Sequence, residues 1–115
     1  MLERAMPDEN DVELGLQRLT GFEWDVAKSE ANLTKHGLDF DEAAEVFYDR
    51  VALRRSDRNN EERWIAVGLS HGRIVSVIFT LRDDKIRIIS ARHPRPNEER
   101  DYRYAQMGRP EEGQD

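Results

Sequence analysis

The 115-residue sequence contains no cysteine. That excludes disulfides, thiolate zinc sites and a cysteine nucleophile together, and it fits a reducing compartment. No apolar run approaches the roughly 20 residues needed to span a bilayer. The opening stretch, MLERAMPDENDVEL, lacks the apolar core of a secretory signal, so a cytoplasmic protein is expected. Histidine is scarce: His36, His71 and His93 are too widely spaced to suggest a metal cluster. Walker A, G-x-G-x-x-G and G-x-S-x-G motifs are all missing, which removes glycine-loop nucleotide binding and serine-hydrolase chemistry. No metal or other cofactor is therefore expected.

What is present is charge. The net charge is −6, with 18 basic and 24 acidic residues. Its distribution is uneven. Residues 1–20 hold five acids against two bases and residues 108–115 three acids against one base, leaving 21–107 close to neutral. Inside that body, residues 85–95 carry Lys85, Arg87, Arg92 and Arg95 and no acid. A local cluster of this kind can hold phosphate even on an acidic protein. The plainer reading is that these side chains solvate a strand.

The chain divides accordingly into an acidic N-terminal extension (1–20), one domain (21–107) and a flexible tail (108–115). Val12, Leu14, Leu16 and Leu19 suffice for at most a short helical turn in the extension. Phe22-Glu23-Trp24 is a short strand candidate. Asp25 is placed to cap a helix over Val26–His36 that Gly37 stops. Asp39 and Glu42 have capping-box spacing, and Phe40, Ala43, Ala44 and Phe47 form an i, i+3, i+4, i+7 stripe, predicting a second helix to about Tyr48-Asp49. From Val51 the period switches to two. Strands are predicted over Val51–Asp57, Arg63–Ser70, Arg73–Arg82 and Lys85–Arg92, with a polar loop at Arg58-Asn59-Asn60 and tight turns at His71-Gly72 and Asp83-Asp84. RIVSVIFTLR is apolar on both faces and should be central. In the last strand, simple alternation puts Ile86, Ile88, Ser90 and Arg92 on one face and Lys85, Arg87 and Ile89 on the other. Asn97 is placed to cap a final helix through about Gln106. The fold class is α+β: two N-terminal helices, a four-stranded antiparallel meander and a C-terminal helix.

Two groups of residues stand out. Lys28, Asn32 and Lys35 fall at i, i+4, i+7 on the first helix and should share a face, with His36 one residue round. Arg63, Arg87 and Arg92 lie in or beside neighbouring strands of the meander, and guanidinium forks suit phosphate oxygens. Each group has an ordinary alternative, a solvated helix face for the first and cross-strand ion pairing for the second. Tyr102 and Tyr104 either stack on bases or pack helix to sheet. Together these residue types suit RNA cleavage without a metal, in which His, Lys or Glu moves protons and Arg or Lys holds phosphorane charge.

The ordered set FEWDVAKSEANLTKHGLDFDEAAEVF, ERWIAVGLS, IRIISARHP and NEERDYRYA resembles the BrnT family of bacterial toxins over about residues 22–105. The pattern W-D-x-x-K-x-x-x-N-x-x-K-H-G-x-x-F followed by R-I-I-S-A-R carries most of the specificity. The resemblance implies a RelE-like fold, RNA cleavage that arrests translation and growth, and neutralisation by a BrnA-like antitoxin partner. The antitoxin would supply the operator DNA contact of the complex. Family positions fall on Lys28, Asn32, Lys35, His36 and Gly37, on Glu62 and Arg63, on Ser90, Ala91 and Arg92, and on Glu99 and Tyr102. On this reading Arg63 and Arg92 clamp phosphate, and His36 or Lys28 transfers protons, with Glu45 a weaker base candidate. Lys35, Arg87, Arg95 and Tyr102 bind RNA. The competing reading is a non-catalytic module that binds protein or RNA through the same surface.

Overall fold

The computed structural model describes residues 21–107, so the expectations for the extension and the tail lie outside the described residues. In chain order the elements are β1 (Gly21–Glu23), α1 (Val26–His36), α2 (Phe40–Ala44) running into a 3-10 turn (Glu45–Tyr48), β2 (Ala52–Arg55), β3 (Trp64–Ser70), β4 (Arg73–Arg82), β5 (Lys85–Arg92) and α3 (Pro96–Met107). The strands form a five-stranded sheet in the order β1-β5-β4-β3-β2.

This corrects the expected four-stranded antiparallel meander. β2 to β5 do form one, with β4 at the centre, but β1 adds to β5 as a fifth, parallel strand, pairing Phe22 with Ile86 and Glu23 with Arg87. The sheet is therefore mixed. A parallel neighbour needs a long crossover connection, and α1, α2 and the β2–β4 strands supply it.

Local chemistry explains the element ends. Asp25 accepts a hydrogen bond from the Lys28 N–H (3.1 Å), and Gly37, at φ 76°, donates to the Leu33 carbonyl (2.8 Å). Both ends of α1 fall where the sequence predicts them. At α2 the full capping box forms: Asp39 accepts from the Glu42 N–H (2.8 Å) and Glu42 accepts from the Asp39 N–H (3.1 Å). The helix is shorter than expected, because from Glu45 the winding tightens to 3-10. Val46 and Phe47 are both buried there. α3 starts at Pro96, one residue before the predicted cap. Arg95 takes the cap position: its carbonyl accepts from the Glu99 N–H (2.9 Å), and its own N–H donates to Glu98 (2.9 Å). Proline at the first helical position is favourable because its missing N–H would have no helical partner.

Both central residues of each tight turn have positive φ: His71-Gly72 (51° and 80°) and Asp83-Asp84 (53° and 65°). Such turns match the twist of the flanking strands. The predicted loop at 58–60 is a third turn of the same kind. Asn59 and Asn60 have φ 53° and 63°, and Arg58 and Glu61 exchange hydrogen bonds of 3.0 and 2.9 Å.

The sheet divides the molecule into two layers. One face carries Ala66, Val75, Val77, Phe79, Ile86, Ile88 and Ala91, and it packs on Leu38, Phe40, Ala43, Val46 and Phe47 from α2 and its flanking turns. On the other face, Tyr102 of α3 packs on Ile65 and Val67. Gly68 shows how closely the 3-10 turn approaches β3. A Cβ there would stand 3.0 Å from Val51 Cγ1 and 3.1 Å from Val46 Cβ. Gly68→Ala should therefore destabilise by about 1–3 kcal/mol through overpacking, measured by urea denaturation; an unchanged midpoint would contradict this packing.

Candidate nucleic-acid interface

The register locates the arginines. Paired residues on neighbouring strands share a face, so the ladder can be read across the sheet. Glu23, Arg87 and Thr80 form one continuous row. One step beyond the Trp64–Phe79 pair, Arg63 continues that row on β3. The next row outward holds Arg82 and Lys85. In the opposite direction lie Ile65, Ile78 and Ser90, and then Val67, Ser76 and Arg92.

A β-bulge decides which arginines share this face. Ile78 pairs with Ser90, but Phe79 pairs with Ile88, leaving Ile89 as the extra residue of β5. Ile86, Ile88 and Ala91 therefore face the first core, while Arg87, Ser90 and Arg92 face the other side. This corrects the simple alternation, which separated Arg87 from Arg92.

α3 covers only one end of this face. At the other end Arg63, Arg82 and Arg87 remain accessible, with side-chain exposures of 23, 52 and 28%. Their ion pairs are partly exposed: Arg63 with Glu61 at 2.7 Å, and Arg87 and Arg82 with the buried Oε2 of Glu23 at 3.3 and 4.0 Å. Pairs of this type contribute about 0–1 kcal/mol, so an incoming phosphate can displace them.

Arg92 is held differently. Both of its terminal nitrogens donate to Glu98, at 2.8 and 2.9 Å, and Glu98 is 2% exposed. That carboxylate also accepts from the Ser76 hydroxyl (2.8 Å) and the Arg95 N–H. Burial alone would raise its pKa, but these donors, Arg92 first, outweigh it and bring the pKa down to about 2. Arg92 thus ties α3 to β5, and a phosphate reaching it must share the guanidinium with Glu98.

The α1 residues separate into two groups. Asn32 is buried, and its side chain acts as a one-residue strand partner for β5. Nδ2 donates to the carbonyls of Ala91 and Leu38, each at 2.8 Å, and Oδ1 accepts from the Ala91 N–H at 3.3 Å. Ser29, also buried, accepts from the Phe40 N–H (2.9 Å). The inward face of α1 is thus polar, and Asn32 does not share the solvent face with Lys28 and Lys35, as the i, i+4, i+7 spacing implied. Lys28 and Lys35 are exposed and His36 is half-buried. Among the described residues, no side-chain hydrogen bond or ion pair joins any of the three to the arginine row.

Glu45 is exposed on the 3-10 turn, in the layer covering the opposite face of the sheet. The exposed Arg95 caps α3 through its backbone. Tyr102 is 7% exposed and packs helix to sheet, whereas Tyr104 is 74% exposed. Two residues of the accessible end were not singled out from sequence, Glu23 and Arg82. The hairpin at Asp83-Asp84 was a usable signal for Arg82, because it sets Arg82 against Lys85 and two residues from Arg87. No group of metal-ligating side chains occurs among the described residues, and no described helix is long and apolar enough to cross a membrane.

No individually curated protein matches the chain. A family model described as the ribonuclease toxin BrnT of type II toxin-antitoxin systems matches residues 24–98, a span that takes in Arg63, Arg82, Arg87 and Arg92. With well over half of its length inside that match, the chain belongs to the BrnT family of ribonuclease toxins.

Proposed function

We propose that this toxin is a metal-independent endoribonuclease that binds RNA on the open end of the sheet face beyond α3. Arg63 and Arg87 hold the scissile phosphate there, and Arg82 and Lys85 hold its neighbours. By analogy with RelE-like enzymes, the RNA 2′-hydroxyl attacks the adjacent phosphate and leaves a cyclic phosphate end. Arg92 extends the basic surface toward α3, and Lys35, exposed on α1, is left to meet RNA beyond the row. Cleavage in the cytoplasm arrests translation and growth until a BrnA-like antitoxin covers the toxin. One observation carries the reading: the strand register puts Arg63, Arg82 and Arg87 on the part of a sheet face that α3 leaves open, paired to partly exposed carboxylates that phosphate can replace. The proton-moving candidates Lys28, His36 and Glu45 lie on the covering elements rather than in that row.

The purified protein should cut labelled RNA in the presence of EDTA and yield 2′,3′-cyclic phosphate ends. Arg63→Ala and Arg87→Ala should each slow cleavage by about 10²-fold or more, the usual loss for a group that stabilises transition-state charge. RNA that is bound but left intact would instead indicate a non-catalytic binding module.

A further inference from the structure

Among the described residues, Glu23 is the one carboxylate that shares both a row and a face with the proposed phosphate ligands. Phe22 and Trp24, its neighbours in sequence, pack against the first core. Alternation therefore turns Glu23 to the arginine side, directly across from Arg87. Its two oxygens are in different situations. Oε2 is buried and lies 3.3 Å from Arg87 Nη1 and 4.0 Å from Arg82 Nε, yet it accepts no hydrogen bond. The side chain is nevertheless 31% exposed, and Oε1 accepts no hydrogen bond among the described residues. A carboxylate whose only function was to neutralise two arginines would gain from charge-assisted hydrogen bonds to them. This one keeps an oxygen uncommitted beside the groups that would hold phosphate.

We infer that Glu23 is the catalytic residue that takes the proton from the attacking 2′-hydroxyl, an assignment that rests on the endoribonuclease reading above. Oε1 accepts that proton as the 2′-oxygen bonds to phosphorus. The P–O5′ bond then breaks, its electron pair stays on the 5′-oxygen, and that oxygen takes a proton from water. Glu23 returns its own proton to solvent, so the step balances with no further reactant. Arg87, in the adjacent strand position, holds the phosphorane oxygens while Glu23 works on the same nucleotide. The other acids near the arginines are less suitable. Glu61 sits in the Arg58–Glu61 turn, outside the strand ladder that carries Arg87, and Glu98 is saturated by Arg92, Ser76 and the Arg95 N–H.

The test uses the full chain with Glu23→Gln and Glu23→Asp. Cleavage of labelled RNA by Glu23→Gln should fall by about 10²–10⁴-fold, the usual contribution of a positioned general base. Glu23→Asp should retain part of the activity. The Gln variant should also lose the acidic limb of the wild-type pH–rate profile. A non-cleavable oligonucleotide, 2′-deoxy at the scissile position, should bind Glu23→Gln at least as tightly as wild type, because a competing anion has been removed. Cleavage within tenfold of wild type, or a loss of cleavage matched by a loss of binding, overturns the assignment while leaving the ribonuclease reading intact. If wild type itself gives no cyclic phosphate, both fall together. Should Glu23→Gln fail to fold, Glu23→Asp decides: slowed cleavage with unchanged binding of the 2′-deoxy oligonucleotide supports the assignment, and cleavage equal to wild type overturns it.

Discussion

Replacing Arg92 with alanine should lower the free energy of unfolding by about 3–5 kcal/mol, the cost of leaving a buried charge without its partner. Glu98 is 2% exposed and takes both terminal nitrogens of Arg92. Without Arg92 the carboxylate keeps only the Ser76 hydroxyl and the Arg95 N–H. A domain of this size has roughly 5–15 kcal/mol in total, so the variant should be near the edge of folding at 37 °C. Urea denaturation at unchanged slope measures the effect. Any loss of toxicity in Arg92→Ala must be read against it, whereas Arg63→Ala, which breaks only a partly exposed pair, should fold normally. A midpoint for Arg92→Ala within error of wild type would mean that α3 is not held by this pair.

The same carboxylate predicts a pH dependence. Glu98 has its pKa lowered from the ordinary 4.5 to about 2 in the folded chain, a difference equivalent to about 3 kcal/mol. A lowered folded pKa stabilises the native state above the unfolded value, and that contribution is lost as pH falls from about 4.5 toward 2. Glu98→Gln should flatten the curve in this window. An unchanged acid limb in that variant would assign the acid sensitivity to other groups.

Asn32→Asp should be the second severe substitution, costing about 3 kcal/mol or more. The change is nearly isosteric, so packing is not the cause. It replaces an N–H₂ that donates to two carbonyls, those of Leu38 and Ala91, with an oxygen that repels both. Two acceptors lose their donor at about 1–3 kcal/mol each, and a charge is introduced at a site only 8% exposed. Lowering the pH should recover part of the loss, because the protonated acid can donate again. Thermal melts of the variant at pH 7 and pH 5 test this; equal melting temperatures to wild type at both would show that Asn32 is not buried as described.

How much of this was legible in the sequence varies with the range of the interaction. The helix over Val26–His36, its Asp25 cap and its Gly37 stop depend on neighbours within four residues, and they were read correctly. So were the turns at His71-Gly72 and Asp83-Asp84 and the central place of β4. Asn32 was misplaced because helical periodicity detects apolar faces, whereas α1 turns serine and asparagine inward to bond backbone on other elements. The parallel pairing of β1 with β5 links positions more than sixty apart in the chain, and no local pattern announces it. Nor does any pattern announce the bulge at Ile89, although it alone decides that Arg87 and Arg92 share a face. The proposed site was therefore visible as a list of arginines but not as an arrangement. Glu23, which enters that arrangement only through β1, was missed as a site residue for the same reason.

If Glu23 and Arg87 form the site proposed above, the β1–β5 ladder also sets when it can assemble. Residues 21–23 leave the ribosome early and their partners at 85–87 emerge late, since synthesis runs from the N-terminus. Until β5 is available, the first strand has no ladder to join, and Glu23 and Arg87 cannot meet. On the proposed assignment, a growing chain holds no assembled site until β5 has been made. A chain released before Lys85 lacks Arg87, Arg92 and Glu98, and with them both the β1–β5 ladder and the ion pair that holds α3.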